Sequence, residues 1–114
     1  MTVLIVDDHP AFRASARAVL ELDGFDVVGE AEDGTSGIEL VRTLEPDVVL
    51  LDIALPDMSG FDVAEQLTPA TKVVLTSSRQ SSDFGRRVLR SGALGFIPKD
   101  DLSGEAFRRV MEPA

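Results

Sequence analysis

The sequence contains no cysteine. That excludes a disulfide framework and any thiolate-held metal, and it fits a reducing compartment. Long apolar runs are missing too. The longest uninterrupted ones are four residues, "VLIV" and "VVLL", far short of the roughly 20 that a membrane-spanning helix needs. The N-terminus "MTVLIVDD" has no basic stretch ahead of its apolar run, so no secretory signal is expected and the expected location is cytoplasmic. Linkers, repeats and low-complexity segments are absent. Positive charge is scarce where it would matter for nucleic acid. Residues 1–62 hold 14 acidic and 3 basic side chains, and the net charge of the chain is −9. Phosphate backbones would be repelled by that surface, so direct nucleic-acid binding is not expected, whereas a cation would be welcome. The second half, 63–114, carries 8 basic and 6 acidic residues and offers a surface for a protein partner.

What is present is a hydrophobic content of 44 % in 114 residues, enough for the core of one domain, taken as 1–114. Short β-rich runs alternate with helical patterns. "TVLIV" (2–6), "FDVVGEA" (25–31), "DVVLL" (47–51), "TKVVLTS" (71–77) and "ALGFI" (93–97) read as strands. "DVVLL" is the most apolar and is expected at the centre of a parallel sheet, where both faces are buried. Between the strands, Phe12, Ala16, Val19 and Leu20 form one helical stripe after Pro10, ended by Asp23-Gly24. Asp33 is placed to cap a helix carrying Ile38, Leu40, Val41 and Leu44, which Pro46 stops. A third helix follows Ser59-Gly60 with Phe61, Val63, Ala64 and Leu67. Ser81 or Ser82 is placed to cap a fourth with Phe84, Val88 and Leu89. A fifth, near 102–112, carries Phe107, Val110 and Met111. Strict βα alternation with short connections predicts an α/β sandwich, a parallel sheet covered by helices on both faces.

In such a sheet the carboxyl ends of all strands share one edge, and ligands bind there where the strand order reverses. Asp7 and Asp8 follow the first strand, Asp52 the third, Thr76 and Ser77 end the fourth, and Lys99 follows the fifth. For order 2-1-3-4-5 the reversal lies between strands 1 and 3, which brings Asp7, Asp8 and Asp52 together. Crowded carboxylates repel, and a hard divalent cation such as Mg2+ relieves them. A cation, a lysine and a hydroxyl around a carboxylate make a site for a transferring phosphoryl group, with Asp52 as nucleophile.

"LIVDDHP", "VVLLDIALPDMSG", "VVLTSS" and "GALGFIPKDDL" together resemble, in order and spacing, the landmarks of the response-regulator receiver domains of two-component signalling. The likeness spans essentially the whole chain. "DDHP" and "KDDL" resemble the subgroup often joined to helix-turn-helix output domains. The resemblance implies a flavodoxin-like (βα)5 fold of order 2-1-3-4-5. It implies that Asp52 accepts a phosphoryl group from a histidine kinase or histidine phosphotransfer protein. Asp8 would ligate Mg2+ directly, Asp7 mainly through water, and Ala54 through its backbone carbonyl. Lys99 would pair with Asp52 and then with the phosphate. Counting back from "SGA" favours Ser77 as the switch hydroxyl, with Thr76 the open alternative. Phe96 matches the switch aromatic but has no hydroxyl, so it would act through packing alone. Asp100 stands where many receivers have proline.

Two further readings compete. A haloacid-dehalogenase-like phosphatase needs a second aspartate two residues after its nucleophile, where this chain has Ala54. A phosphorylation-independent pseudo-receiver would be expected to lack an acidic-pocket residue or the lysine, and none is lacking. His9 is expected at the mouth of the site without a catalytic role, and Asp57 as a solvated loop carboxylate. Arg86, Arg87, Arg90, Arg108 and Arg109 fall on the last two helices, either as a solvated face or as a dimer interface over the fourth helix, fifth strand and fifth helix, with Asp100 and Asp101 as counter-charges. "MEPA" at the end is read as a possible linker opening.

Overall fold

The computed structural model describes residues 1–78 and 84–112. Five parallel strands, β1 (Thr2–Val6), β2 (Asp26–Ala31), β3 (Val48–Asp52), β4 (Lys72–Ser77) and β5 (Gly95–Pro98), form one sheet of order β2-β1-β3-β4-β5. The helices are α1 (Pro10–Leu22), α2 (Gly34–Leu44), α3 (Gly60–Leu67), α4 (Gly85–Ser91) and α5 (Gly104–Met111), with a 3-10 turn over Lys99–Asp101. This is the expected flavodoxin-like arrangement.

The layering follows from handedness. Right-handed crossovers that run outward from β1 to β2 and then back through β3, β4 and β5 must place their helices on opposite faces. One core accordingly joins Val3, Ile5, Val48, Leu50 and Val74 to Ala16, Leu20, Phe107 and Met111 under α1 and α5. The other joins Leu4, Val6, Val49, Leu51, Val73 and Leu75 to Val41, Phe61, Val63 and Leu67 under α2 and α3. Strand β3 is buried throughout, as its unbroken apolar run predicts.

Local signals set the helix ends. Pro10 opens α1, where its missing N–H costs nothing. Asp33 caps α2 by accepting from Ser36 N at 2.8 Å. Ser59 caps α3 by accepting from Phe61 N at 3.1 Å. Two apolar stripes differ from expectation. In α2 Val41 is buried and Ile38 and Leu40 pack against the same core as expected, with Gly34 and Gly37 buried beside them, but Leu44 is 39 % exposed. In α4 the inward stripe is Phe84, Val88 and Ser91, spaced i, i+4, i+7, so Leu89 lies off it and is 82 % exposed. Phe84 precedes that helix rather than belonging to it. The expected cap at Ser81 or Ser82 lies outside the described residues.

Strand β3 reaches one residue further than predicted. Asp52 pairs with Thr76 in the ladder, so its carboxylate stands on the last rung of the sheet. No helix among the described residues is long and apolar enough to cross a membrane.

Candidate functional site

Four strand ends converge. Asp7 leaves β1 fully buried, Asp52 ends β3 at 2 % exposure, Thr76 and Ser77 end β4 buried, and Lys99 follows β5. Lys99 Nζ lies 2.7 Å from Asp7 Oδ2 and 3.2 Å from Asp52 Oδ2. Its ammonium also sits 4.6 Å from the Phe12 ring centre, a cation–π contact that steers the lysine inward. Asp52 Oδ1 accepts from Ala54 N at 3.0 Å. The expected pairing of the lysine with Asp52 is thus present, and the Ala54 main chain meets Asp52 through its N–H.

Asp8 is the outermost carboxylate, its side chain 35 % exposed. Its Oδ1 lies 3.1 Å from His9 Nδ1 and accepts no hydrogen bond among the described residues. His9 sits at the mouth as expected, with its side chain 64 % exposed, but it is not idle there. Its backbone N donates to Asp7 Oδ1 at 2.8 Å, and Nδ1 lies 3.0 Å from the same oxygen. Ligand atoms of Asp7, Asp8, His9 and Asp52 all fall within 4.8 Å of one another. Three carboxylates around one point, one with an oxygen awaiting a donor, fit a hard divalent cation.

The electrostatics agree. Burial raises the Asp52 carboxyl above its ordinary range; the Ala54 N–H pulls it down, Asp7 pushes it up, and Lys99 pulls it down. Burial works against the Lys99 charge, yet Asp7 and Asp52 outweigh it and raise its pKa. The lysine therefore stays cationic between the Asp7 and Asp52 carboxyl groups.

The roles of Arg13, Arg17, Glu30 and Gly60 around the site were not legible in the sequence. Arg13 Nη1 donates to the Asp7 carbonyl at 2.6 Å, while Arg13 Nε and Arg17 Nε grip the two oxygens of Glu30 at 3.0 and 2.8 Å. This clamp fixes the β1 end between α1 and β2. It lowers the Glu30 pKa, chiefly through the Arg17 hydrogen bond. Gly60 lets α3 start against the backbone of Asp52: a Cβ there would collide with the Asp52 carbonyl and stand 2.7 Å from Ile53 Cα.

Asp57 corrects the expectation of a merely solvated loop carboxylate. Although exposed, it accepts from Gly34 N at 2.8 Å, Thr35 N at 2.9 Å and the Thr35 hydroxyl at 2.8 Å. Those donors, the backbone N–H of Gly34 first, hold its pKa down to about 2. A carboxyl depressed below its unfolded value of about 3.9 stabilises the fold above that value, and the contribution is lost as pH falls through the folded pKa. Asp57→Ala should therefore lower Tm at pH 7, and the gap to wild type should narrow from about pH 4 downward and close near pH 2. Thermal melts of both proteins across that range check this; a gap that stays constant contradicts it.

The remaining expected residues fall as follows. The Thr76 hydroxyl donates to the Ile97 carbonyl at 2.7 Å within the sheet. Ser77 is one residue further toward the edge, buried. Phe96 packs on Phe84, ring centres 5.8 Å apart, and Phe84 on Phe61 at the same separation. Of the arginines, Arg87 covers the Phe61 ring at 4.3 Å and Arg108 pairs with Asp23 at 2.7 Å. Arg109 pairs with Glu105. Among the described residues none of these ion pairs involves Asp100 or Asp101, the expected counter-charges; within the chain Arg108 and Arg109 pair with Asp23 and Glu105.

Comparison with known proteins agrees with this geometry. A family model described as the response regulator receiver domain matches residues 3–108. The nitrate/nitrite response regulator protein NarP of Escherichia coli is 45 % identical over 103 residues, 86 % of this chain and 47 % of NarP. The response regulator GacA of Pseudomonas viridiflava is 37 % identical over 101 residues, 85 % of this chain and 47 % of GacA. The chain spans about half the length of the curated relatives it matches. Among solved structures, the signal receiver domain of NarL from Mycobacterium tuberculosis superposes with TM-score 0.86 at 38 % identity, covering 96 % of this chain and 92 % of that one.

Proposed function

Because the chain belongs to the response regulator receiver domain family, we propose that it is a signalling switch in which Asp52 accepts a phosphoryl group from a histidine kinase or histidine phosphotransfer protein. The observation that carries this reading is the buried Asp52 held between Lys99 and the Ala54 N–H, beside the Asp7–Asp8 pair. In the transfer, an Asp52 carboxylate oxygen forms a bond to phosphorus as the bond from phosphorus to the donor's imidazole nitrogen breaks. The imidazole leaves with the electron pair. Lys99 Nζ, 3.2 Å from Asp52 Oδ2, is placed to pair with an oxygen of the incoming group and to balance its charge. Asp7, Asp8, Asp52 and the Ala54 carbonyl would hold Mg2+, which when bound neutralises phosphoryl oxygens. The protein transfers the group to itself, with no external metabolite turned over, so it is not an enzyme in the ordinary sense.

The switch half of the reading rests on β4 and β5. Ser77, one residue nearer the strand's end than Thr76, is taken as the hydroxyl that meets the phosphate, with Thr76, which donates to the Ile97 carbonyl, as the alternative. Phe96 follows by packing, through Phe84 toward Phe61. Control of an attached or separate output partner, in the cytoplasm and without nucleic-acid contact by these residues, belongs to the same proposal. So does a homodimer through α4, β5 and α5, where Arg86, Leu89 and Arg90 are exposed.

A phosphatase reading finds no acid at Ala54, whose backbone N–H is already on Asp52. The pseudo-receiver reading makes a different prediction for metal. A Mg2+ titration followed by amide shifts of residues 7, 8, 52 and 54 should saturate in the millimolar range or below. No response at those residues would favour a phosphorylation-independent module.

A further inference from the structure

The loop 53–59 carries Ala54, whose N–H is the backbone donor to Asp52 Oδ1. The base of this loop is closed by its own chain: Ala54 and Ser59 form an isolated bridge, and Gly60 N donates to the Ile53 carbonyl at 2.7 Å. Its tip, residues 55–58, is fixed by something else. Asp57 reaches across to the start of α2, 22 and 23 residues away, and takes the N–H groups of Gly34 and Thr35 and the Thr35 hydroxyl. Met58 lies beside the same turn: a Cβ on Gly34 would stand 2.7 Å from Met58 Sδ, so the glycine admits the loop at close range.

Helix α2 does not need Asp57 for its own cap. Asp33 already accepts from Ser36 N. Thr35 is exposed, and its orphan donors would reach water at modest cost if Asp57 were not there, whereas Gly34 is buried and its N–H has Asp57 as its partner. What the Asp57 contacts add is a tie between α2 and the segment that shapes the Asp52 pocket.

We propose that Asp57 is a positioning residue: by anchoring the loop tip to α2, it holds the Ala54 main chain against Asp52 and so presets both the N–H on the carboxylate and the backbone carbonyl at the cation site. The geometric part stands on the hydrogen bonds alone. The part concerning Mg2+ and phosphoryl acceptance rests on the function proposed above.

The paired variants Asp57→Ala and Asp33→Ala separate positioning from capping. Both remove a carboxylate from the same helix end, but only Asp57 lies on the loop. Hydrogen exchange of the Ala54 amide, read by NMR on the full chain without metal, should quicken about tenfold in Asp57→Ala and stay near wild type in Asp33→Ala. Titration with Mg2+ alone should show affinity weakened roughly tenfold in Asp57→Ala and unchanged in Asp33→Ala. Asp57→Asn, which keeps one acceptor oxygen, should fall between and covers the case in which the alanine variant does not fold. An Ala54 amide in Asp57→Ala that exchanges as in wild type overturns the proposal, and so does an equal change in Asp33→Ala. If wild type itself binds no Mg2+ and takes no phosphoryl group, the functional reading fails, while the exchange result still decides whether Asp57 braces the loop.

Discussion

Asp52→Asn is expected to abolish phosphoryl labelling by acetyl phosphate or a cognate kinase, in Mg2+, under conditions that label the wild type. Asparagine keeps the shape and one oxygen to accept the Ala54 N–H, now 3.0 Å away, so the pocket should not collapse. What it loses is the carboxylate oxygen proposed to attack phosphorus. No neighbour can replace it. Asp7 is fully buried, with Lys99 at 2.7 Å on one oxygen and His9 on the other, and Asp8 sits outside at the cation end. The substitution should not cost stability at neutral pH, because burial already disfavours the ionised Asp52 and a neutral amide escapes that penalty. Intact-protein mass spectrometry reads the labelling, and melts read the stability. Labelling of the asparagine variant at the wild-type level would remove Asp52 from the role.

Gly60→Ala should be the most damaging single methyl that can be added near the site. The new Cβ meets backbone, the Asp52 carbonyl and Ile53 Cα at 2.7 Å, and backbone cannot swing aside as a flexible side chain can. Overpacking of this kind costs about 1–3 kcal/mol or more, a fall in Tm of roughly 10 °C for a domain of this size. Because the collision is with the carbonyl of Asp52, the proposed acceptor, labelling of the protein that remains folded should fall as well. Gly85→Ala is the control: a Cβ there meets nothing within 4 Å, and its stability should be close to wild type. Equal melts for the two variants would mean that α3 can draw back from β3 freely.

How much of this was legible beforehand depends on the range over which each signal acts. The acidic pocket was, because a parallel sheet puts every strand's carboxyl end on one edge, and the polar residues at 7, 8, 52, 76, 77 and 99 all fall there; the strand order came with the resemblance to receiver domains. Asp33 was readable as a cap because its donor is three residues away, whereas Ser59 was legible only as marking the start of α3. Asp57 was not legible, since its donors lie across the fold at 34 and 35 and nothing near "LPDMSG" announces them. Arg13 was hidden likewise: on α1 it looks like a solvated charge, and only the packing of α1 against β2 brings it to the Asp7 carbonyl and Glu30. Leu89 misled because a seven-residue helix uses one narrow stripe, and the apolar neighbour of Val88 lies about 100° round from it.

The most direct test of the account is to locate the phosphoryl group itself. Wild-type protein incubated with a phosphoryl donor and Mg2+, then trapped by borohydride reduction of the acyl phosphate and digested, should yield one modified peptide with the change at Asp52. Modification at another aspartate, or none under conditions in which the Mg2+ titration saturates, would contradict it.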